Sequence, residues 1–145
     1  MTRVWVIRND EFPASDLVAG GFVSIGWDRI GDLTAVGDDQ VAIRRLVSQV
    51  YPEEKEGSFP VSAGMLRRFA FDMREGDIVV APDRQTRLIN IGMVGGPYHF
   101  AADGSAHPHR RAVEWLVTGI SRSTLSHPAL NEIGSALTLF EVRRH

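Results

Sequence analysis

The sequence contains no cysteine and a single lysine, Lys55. Without cysteine, disulfides and thiolate metal sites are excluded. No apolar run approaches the roughly 20 residues that a membrane-spanning helix needs. The first stretch, MTRVWVIRND, returns to charge before a leader-like apolar core can form. A cytoplasmic chain with no membrane partner is therefore expected. Catalytic signatures are also missing. There is no Gly-x-Ser-x-Gly, no phosphate-cradling glycine loop and no His-Glu-x-x-His. A nuclease-like Asp…Glu-x-Lys site is not read either, because the single lysine, Lys55, lies in the acidic stretch YPEEKEG, which reads as a solvated loop. His107 and His109 are two residues apart with no third ligand nearby, so no metal and no other cofactor is expected. These absences point away from an enzyme.

What is present fits one domain over 1–145, long enough to bury a core. The net charge of −2 argues against a general nucleic-acid coat, but its distribution is uneven. Residues 1–83 carry fourteen acidic against nine basic side chains, and residues 84–145 carry four against seven, plus all five histidines. Fifteen of the sixteen cations are arginine, the better planar, bidentate ligand for phosphate and for guanine edges. Codon bias explains the choice of arginine over lysine but not the asymmetry between the halves.

Along the chain, residues 3–8 (RVWVIR) alternate as a strand, with Trp5 and Ile7 on one face and Val4 and Val6 on the other. A short helix over 14–19 ends at Gly20-Gly21, and Phe22–Ile25 forms the next strand, ended by Gly26 before Trp27. Asp38 or Asp39 can cap a helix whose apolar stripe is Ile43, Leu46, Val47 and Val50, and Pro52 ends it. A second helix starts near Ser58, Pro60 and Ser62, with Val61, Met65, Leu66, Phe69 and Met73 as its stripe. His109–Ile120 is a long strand. Pro128 opens a short helix that Gly134 closes, and residues 137–142 form a last strand.

The organising stretch is 76–100, GDIVVAPDRQTRLINIGMVGGPYHF. It predicts a strand over 77–81, a turn opened by Pro82-Asp83 and a second strand over 88–94. Gly95-Gly96-Pro97 then reads as a break that delivers Tyr98 and His99 to a rim. About six strands with helices mostly early favour an α+β barrel over a doubly wound parallel sheet.

With these residues laid out, the chain resembles the EVE-like branch of the PUA superfamily, related to YTH domains. Five features carry the likeness. They are the N-terminal strand with Trp5, Ile25-Gly26-Trp27, the helix running into Gly76-Asp77-Ile78-Val79-Val80, the strand from Ile91 through Gly95 to Tyr98, and HRRAVEW followed by Ser121-Arg122-Ser123. The resemblance implies a PUA-like mixed β-barrel with flanking helices. It also implies a non-catalytic reader that flips a modified base, here expected to be 5-methylcytosine in duplex DNA, into an aromatic pocket. A nuclease in a partner or parent chain would do any cutting. Reading of modified or single-stranded RNA, as by YTH domains, is the alternative, and a small-molecule sensor or interaction module a third. The expected walls of the pocket are Trp27 and Tyr98, with Ile25 beside them. Trp5, Phe59 and Trp115 are candidates for a third wall, though Trp5 and Trp115, set within strands, read first as core. Asp28, Asn90 and His99 would supply the polar edge. Arg84 and Arg87 at the hairpin tip, and His107, His109, Arg110 and Arg111 in AHPHRR, are expected to neutralise the nucleic-acid backbone.

Overall fold

The computed structural model describes residues 2–134 and 137–142. Six strands and four helices alternate in the order β1 (Val4–Ile7), α1 (Ala14–Gly20), β2 (Phe22–Ile25), α2 (Gln40–Val50), α3 (Phe59–Arg67), β3 (Ile78–Pro82), β4 (Ile89–Phe100), β5 (His109–Ile120), α4 (His127–Glu132) and β6 (Leu139–Val142). Local chemistry sets most boundaries. Gly21, at φ +66°, ends α1 in the left-handed region that glycine adopts without a Cβ clash. Of the two candidate caps for α2 it is Asp39 that accepts from Val41 N and Ala42 N. Ser126 caps α4 through Ala129 N. No helix among the described residues is long and apolar enough to cross a membrane.

The strands form one sheet in the order β2-β5-β4-β3-β1-β6. The β1–β3 pair is parallel and the other pairs are antiparallel. The hairpin read from the sequence is present, with Ile78 opposite Met93 and Pro82 opposite Ile89. The expected barrel is not. The two outermost strands, β2 and β6, have four residues each and do not pair with one another, so the sheet stays open. The Gly-Gly-Pro segment also differs from expectation. β4 runs unbroken through it to Phe100, and the register against β5 slips between Val94 and Tyr98 instead. Small residues let the strand bulge there without ending it.

Alternation on β1 sorts the two sides of the sheet. Trp5 and Ile7 join the main core with Ile43 and Val47 of α2 and Ala63, Met65 and Leu66 of α3. Val6 faces a smaller cluster on the reverse side, with Ile89 and Ile133. Asp77 ties the first turn of this core together. Its carboxylate accepts from Trp5 Nε1 at 3.0 Å, from Arg74 N at 3.0 Å and from Arg3 N at 3.2 Å.

Candidate nucleic-acid interface

Tyr98 and the backbone of Trp27 are joined by one side chain, that of His109. The imidazole of His109 stacks on the Tyr98 ring with centroids 5.8 Å apart. Its Nδ1 lies 2.6 Å from the Tyr98 hydroxyl, and its Nε2 lies 3.1 Å from the Trp27 carbonyl oxygen. His109 is fully buried, and so is Ile25. The chain reaches this arrangement by placing Trp27 at φ +58°, a left-handed conformation uncommon for a bulky residue. Trp27 and Tyr98 thus pack partly buried against the main core. Asp28 and His99 are exposed beside them. Phe59 opens α3 and lines a shallow depression with Arg44 and Arg45, away from the cleft described below.

Three members of AHPHRR take different places from those expected. His107 and Arg111 are 4 % and 3 % exposed, and neither can reach a phosphate outside. His107 sits between Ser24 Oγ, at 3.1 Å, and Asp10, at 2.9 Å. Arg111 is held by three carbonyls, donating to Gly96 O, Phe69 O and Met73 O at 2.7–3.0 Å. Burial pushes its pKa down, and the charges of Asp77 and Glu75 oppose that. His109 is enclosed as above. Only Arg110 remains part-exposed. It donates to Asp103 and Ser105 and lies over the rings of Phe22 and Phe12, at 4.9 and 5.4 Å.

A second aromatic, Trp115, lies at a cleft. Its indole Nε1 donates to Leu17 O at 3.0 Å, and its partly buried ring packs against the core. Gly92 stands opposite it on β4. A Cβ on Gly92 would come within 2.3 Å of Val113 Cγ1 and 3.0 Å of the Trp115 ring, so the missing side chain is what admits both. Trp115, Phe12 and Leu17 give the cleft apolar walls, and Asn9, Ser24, Asp83 and Asn90 give it polar ones. Its open volume is only about 10 Å³, room for one water. Asn90, expected beside Tyr98, is here instead, near the opposite end of the twelve-residue β4.

Next to the cleft is a basin of about 240 Å³ lined by Arg8, Arg84, Arg87 and Arg122. Asn9, Pro82 and Asp83 line both. Among the described residues none of the four arginines has a carboxylate partner. The two acids at the rim are used elsewhere: Asp83 accepts from Gln85 N, Thr86 N and Thr86 Oγ1, and Asp10 pairs with His107. Arg8 donates to Ile133 O, while its Nε is buried without a partner among the described residues. Burial, then the charges of Arg122 and Arg84, push its pKa down. Four arginines against the two carboxylates of Asp10 and Asp83 leave the hollow net positive, the electrostatic form of an anion site. Among the described residues no group of three or more His, Asp or Glu could hold a metal.

Local spacing marks Arg84 and Arg87 but not Arg8, Asn9, Ser24 or Arg122. Arg8-Asn9, Ser24 and Arg122 are far apart in sequence. The parallel pairing of β1 with β3 puts the end of β1 beside the hairpin turn, and β5 returns Arg122 to the same place, its Nε donating to Arg87 O. The available signal was the polar run Arg8-Asn9-Asp10 closing an otherwise apolar strand.

The fold is similar to that of solved YTH domains. A solved complex of the YTH domain-containing protein mmi1 with RNA superposes at a TM-score of 0.52, covering 97 % of this chain and 73 % of that one at 10 % identity. Two further structures, an Mmi1 YTH domain complex with RNA and the Mmi1 YTH domain alone, superpose at 0.51 with 97 % coverage of this chain, 70 % and 86 % of theirs, and 10 % identity. The chain belongs to the family described as a domain of unknown function, DUF8426, whose model matches residues 8–142. No curated protein matches it. These likenesses bear on the YTH side of the expected resemblance and do not reach its EVE-like branch.

Proposed function

We propose that this chain is a non-catalytic reader of a modified base in single-stranded RNA. The observation that carries the reading is the shared wall of Asn9, Pro82 and Asp83. It sets a narrow cleft with an indole wall directly beside four arginines that have no carboxylate partner among the described residues. An unstacked nucleotide has those two parts in that relation, a flat ring and an adjoining phosphate. The ring would lie against Trp115, where stacking contributes about 1–3 kcal/mol. The phosphates would sit in the basin. A ring enters only when the cleft widens, since the resting cleft holds no more than a water. The RNA bound in the Mmi1 complexes supports this reading over duplex DNA, for which neither the fold nor the site offers comparable support.

Fluorescence anisotropy tests it, using an RNA nonamer with a central N6-methyladenosine, its unmodified twin and a duplex DNA carrying 5-methylcytosine. Burial of one methyl carbon, at about 0.8 kcal/mol, gives roughly a fourfold preference for the modified RNA. Tighter binding of the DNA duplex, or equal weak binding of all three, would overturn the proposal.

A further inference from the structure

Asn9 and Asn90 line the cleft from the end of β1 and from β4. Each has its amide oxygen committed. Asn9 Oδ1 accepts from Glu11 N at 2.9 Å and Phe12 N at 2.8 Å, which uses both of its lone pairs. Asn90 Oδ1 accepts from Gly119 N at 2.8 Å. Asn9 Nδ2 gives one hydrogen to Ser24 Oγ at 2.7 Å. The Asp10 carboxylate can only accept, so His107 carries a hydrogen on Nε2 and donates it there at 2.9 Å. In the neutral ring Nδ1 then accepts from the hydroxyl of fully buried Ser24 at 3.1 Å. One hydrogen on Asn9 and two on Asn90 are left without a partner among the described residues. Asn90 Nδ2 is not sealed from the outside, since Arg8 Nε alone among the described residues is both buried and unpartnered, and Asn9 as a residue is half-buried.

An Asn side chain ordinarily offers a donor and an acceptor and can turn over to suit its ligand. Asn9 cannot. Turned over, its NH₂ would face the N–H groups of Glu11 and Phe12, and its oxygen would need a hydrogen that Ser24 has already given to His107. We infer that the cleft selects a planar ring presenting two hydrogen-bond acceptors, to which Asn9 can offer only an N–H and Asn90 offers two N–H groups beside the one lone pair its oxygen keeps, and that His107, acting through Ser24, is the positioning residue that holds Asn9 in that role. The inference rests on the base-reading proposal and adds the chemistry of the edge that is read. Unprotonated ring nitrogens and carbonyl oxygens are the acceptors such a site takes.

The test uses the N6-methyladenosine nonamer and its 1-deaza, 3-deaza and 7-deaza analogues, each lacking one ring acceptor. Asn90→Asp keeps an oxygen for Gly119 N but offers the ligand no donor. It should bind the parent RNA about tenfold more weakly. At least one deaza analogue should lose as much on the wild type and lose nothing further on Asn90→Asp. His107→Leu should bring the preference for modified over plain RNA to within twofold while leaving the salt slope unchanged. His107→Asn, which keeps an acceptor at the Nδ1 position, should regain most of it. Unchanged binding by folded Asn90→Asp, indifference to every deaza analogue, or full preference in His107→Leu would overturn the inference. Long-range ¹H–¹⁵N spectra of the free protein should show His107 as the neutral Nε2–H tautomer, and an Nδ1–H tautomer refutes the relay whatever the RNA does. A wild type indifferent to the modification, with the Nε2–H tautomer present, sinks the base-reading proposal and the edge selectivity but leaves the relay standing.

Discussion

Tyr98 donates its phenolic hydrogen to Nδ1 of His109 across 2.6 Å. The partners on either side fix that direction. Leu33 N donates to the same phenolic oxygen at 3.2 Å, and Nε2 of His109 faces the Trp27 carbonyl, which can only accept. The imidazole is therefore neutral, with its hydrogen on Nε2. His107, two residues earlier, repeats the pattern with Ser24 on Nδ1 and Asp10 on Nε2. The two histidines brace opposite ends of one region, His109 the turn after β2 and His107 the wall of the cleft.

A pH dependence follows for His109. Burial pushes its pKa down, only partly opposed by the Trp27 carbonyl and the charge of Asp32. An unfolded histidine takes up its proton near pH 6.5. The neutral form's contribution is therefore fully present above about pH 6.5 and is lost as pH falls from there through the lower folded value. Tyr98 acts at the other end. Burial raises its pKa to about 12, so its contribution holds below about pH 10 and is lost as pH rises toward 12. Urea unfolding between pH 7.5 and 5.5 should show stability declining on the acid side, and His109→Gln should flatten that decline. An equal decline in the variant would assign the titration to another group.

Arg111→Met removes the one side chain that satisfies the carbonyls of Gly96, Phe69 and Met73. The hydrocarbon part is kept and three buried acceptors are left unpaired, at about 1–3 kcal/mol each for those that water cannot reach. A loss of about 3 kcal/mol, or roughly 10 °C in the melting temperature, is expected. A melting temperature within two or three degrees of the wild type would mean that water replaces the guanidinium freely.

How much of this was legible in the sequence depends on how local each feature is. The strand faces of β1, the stripe of α2 and the β3–β4 hairpin rest on periodicity within a few residues, and they are found as read. Barrel closure depends on whether β2 and β6 meet, which no local pattern encodes. The Gly-Gly-Pro segment has the composition of a break, yet pairing with the twelve-residue β5 carries β4 through it as a bulge. In AHPHRR, alternation alone separates buried His107, His109 and Arg111 from part-exposed Arg110, but the charged composition reads as a solvated loop. The basin was half visible, as Arg84 and Arg87. Its other half comes from the ends of β1 and β5, joined by sheet order alone.

Trp115 and Trp27 give opposite expectations, and that contrast locates the site. Trp115→Ala should weaken binding of the modified nonamer by about tenfold or more, through loss of stacking worth about 1–3 kcal/mol. Trp27→Ala removes a partly buried ring at a strained backbone position, so it should lower the melting temperature and leave the preference for modified RNA intact. The reverse result, with preference lost only in Trp27→Ala, would return the base to Tyr98 and Trp27. Both variants need a circular dichroism check, because Trp115 also bonds to Leu17 O.

The arginine basin should trade stability for binding. Arg8, Arg84, Arg87 and Arg122 line one hollow without a carboxylate partner among the described residues, and Arg122 and Arg84 both act to lower the pKa of Arg8. Removing one of these charges relieves repulsion in the free protein and weakens the hold on a phosphate. Arg84→Ala is the cleanest probe, because its side chain is exposed and, unlike those of Arg8 and Arg122, makes no hydrogen bond among the described residues. It should leave the melting temperature unchanged or slightly higher. It should also weaken modified and plain RNA by the same factor, since phosphate contacts carry no base information. The slope of log affinity against log salt should fall by about 0.7 for each single-strand phosphate released. Arg84→Ala/Arg87→Ala should lower the slope further while the ratio between modified and plain RNA stays at its wild-type value. A ratio that changes along with the slope would mean that the basin touches the base itself, and an unchanged slope would remove the hairpin turn from the footprint.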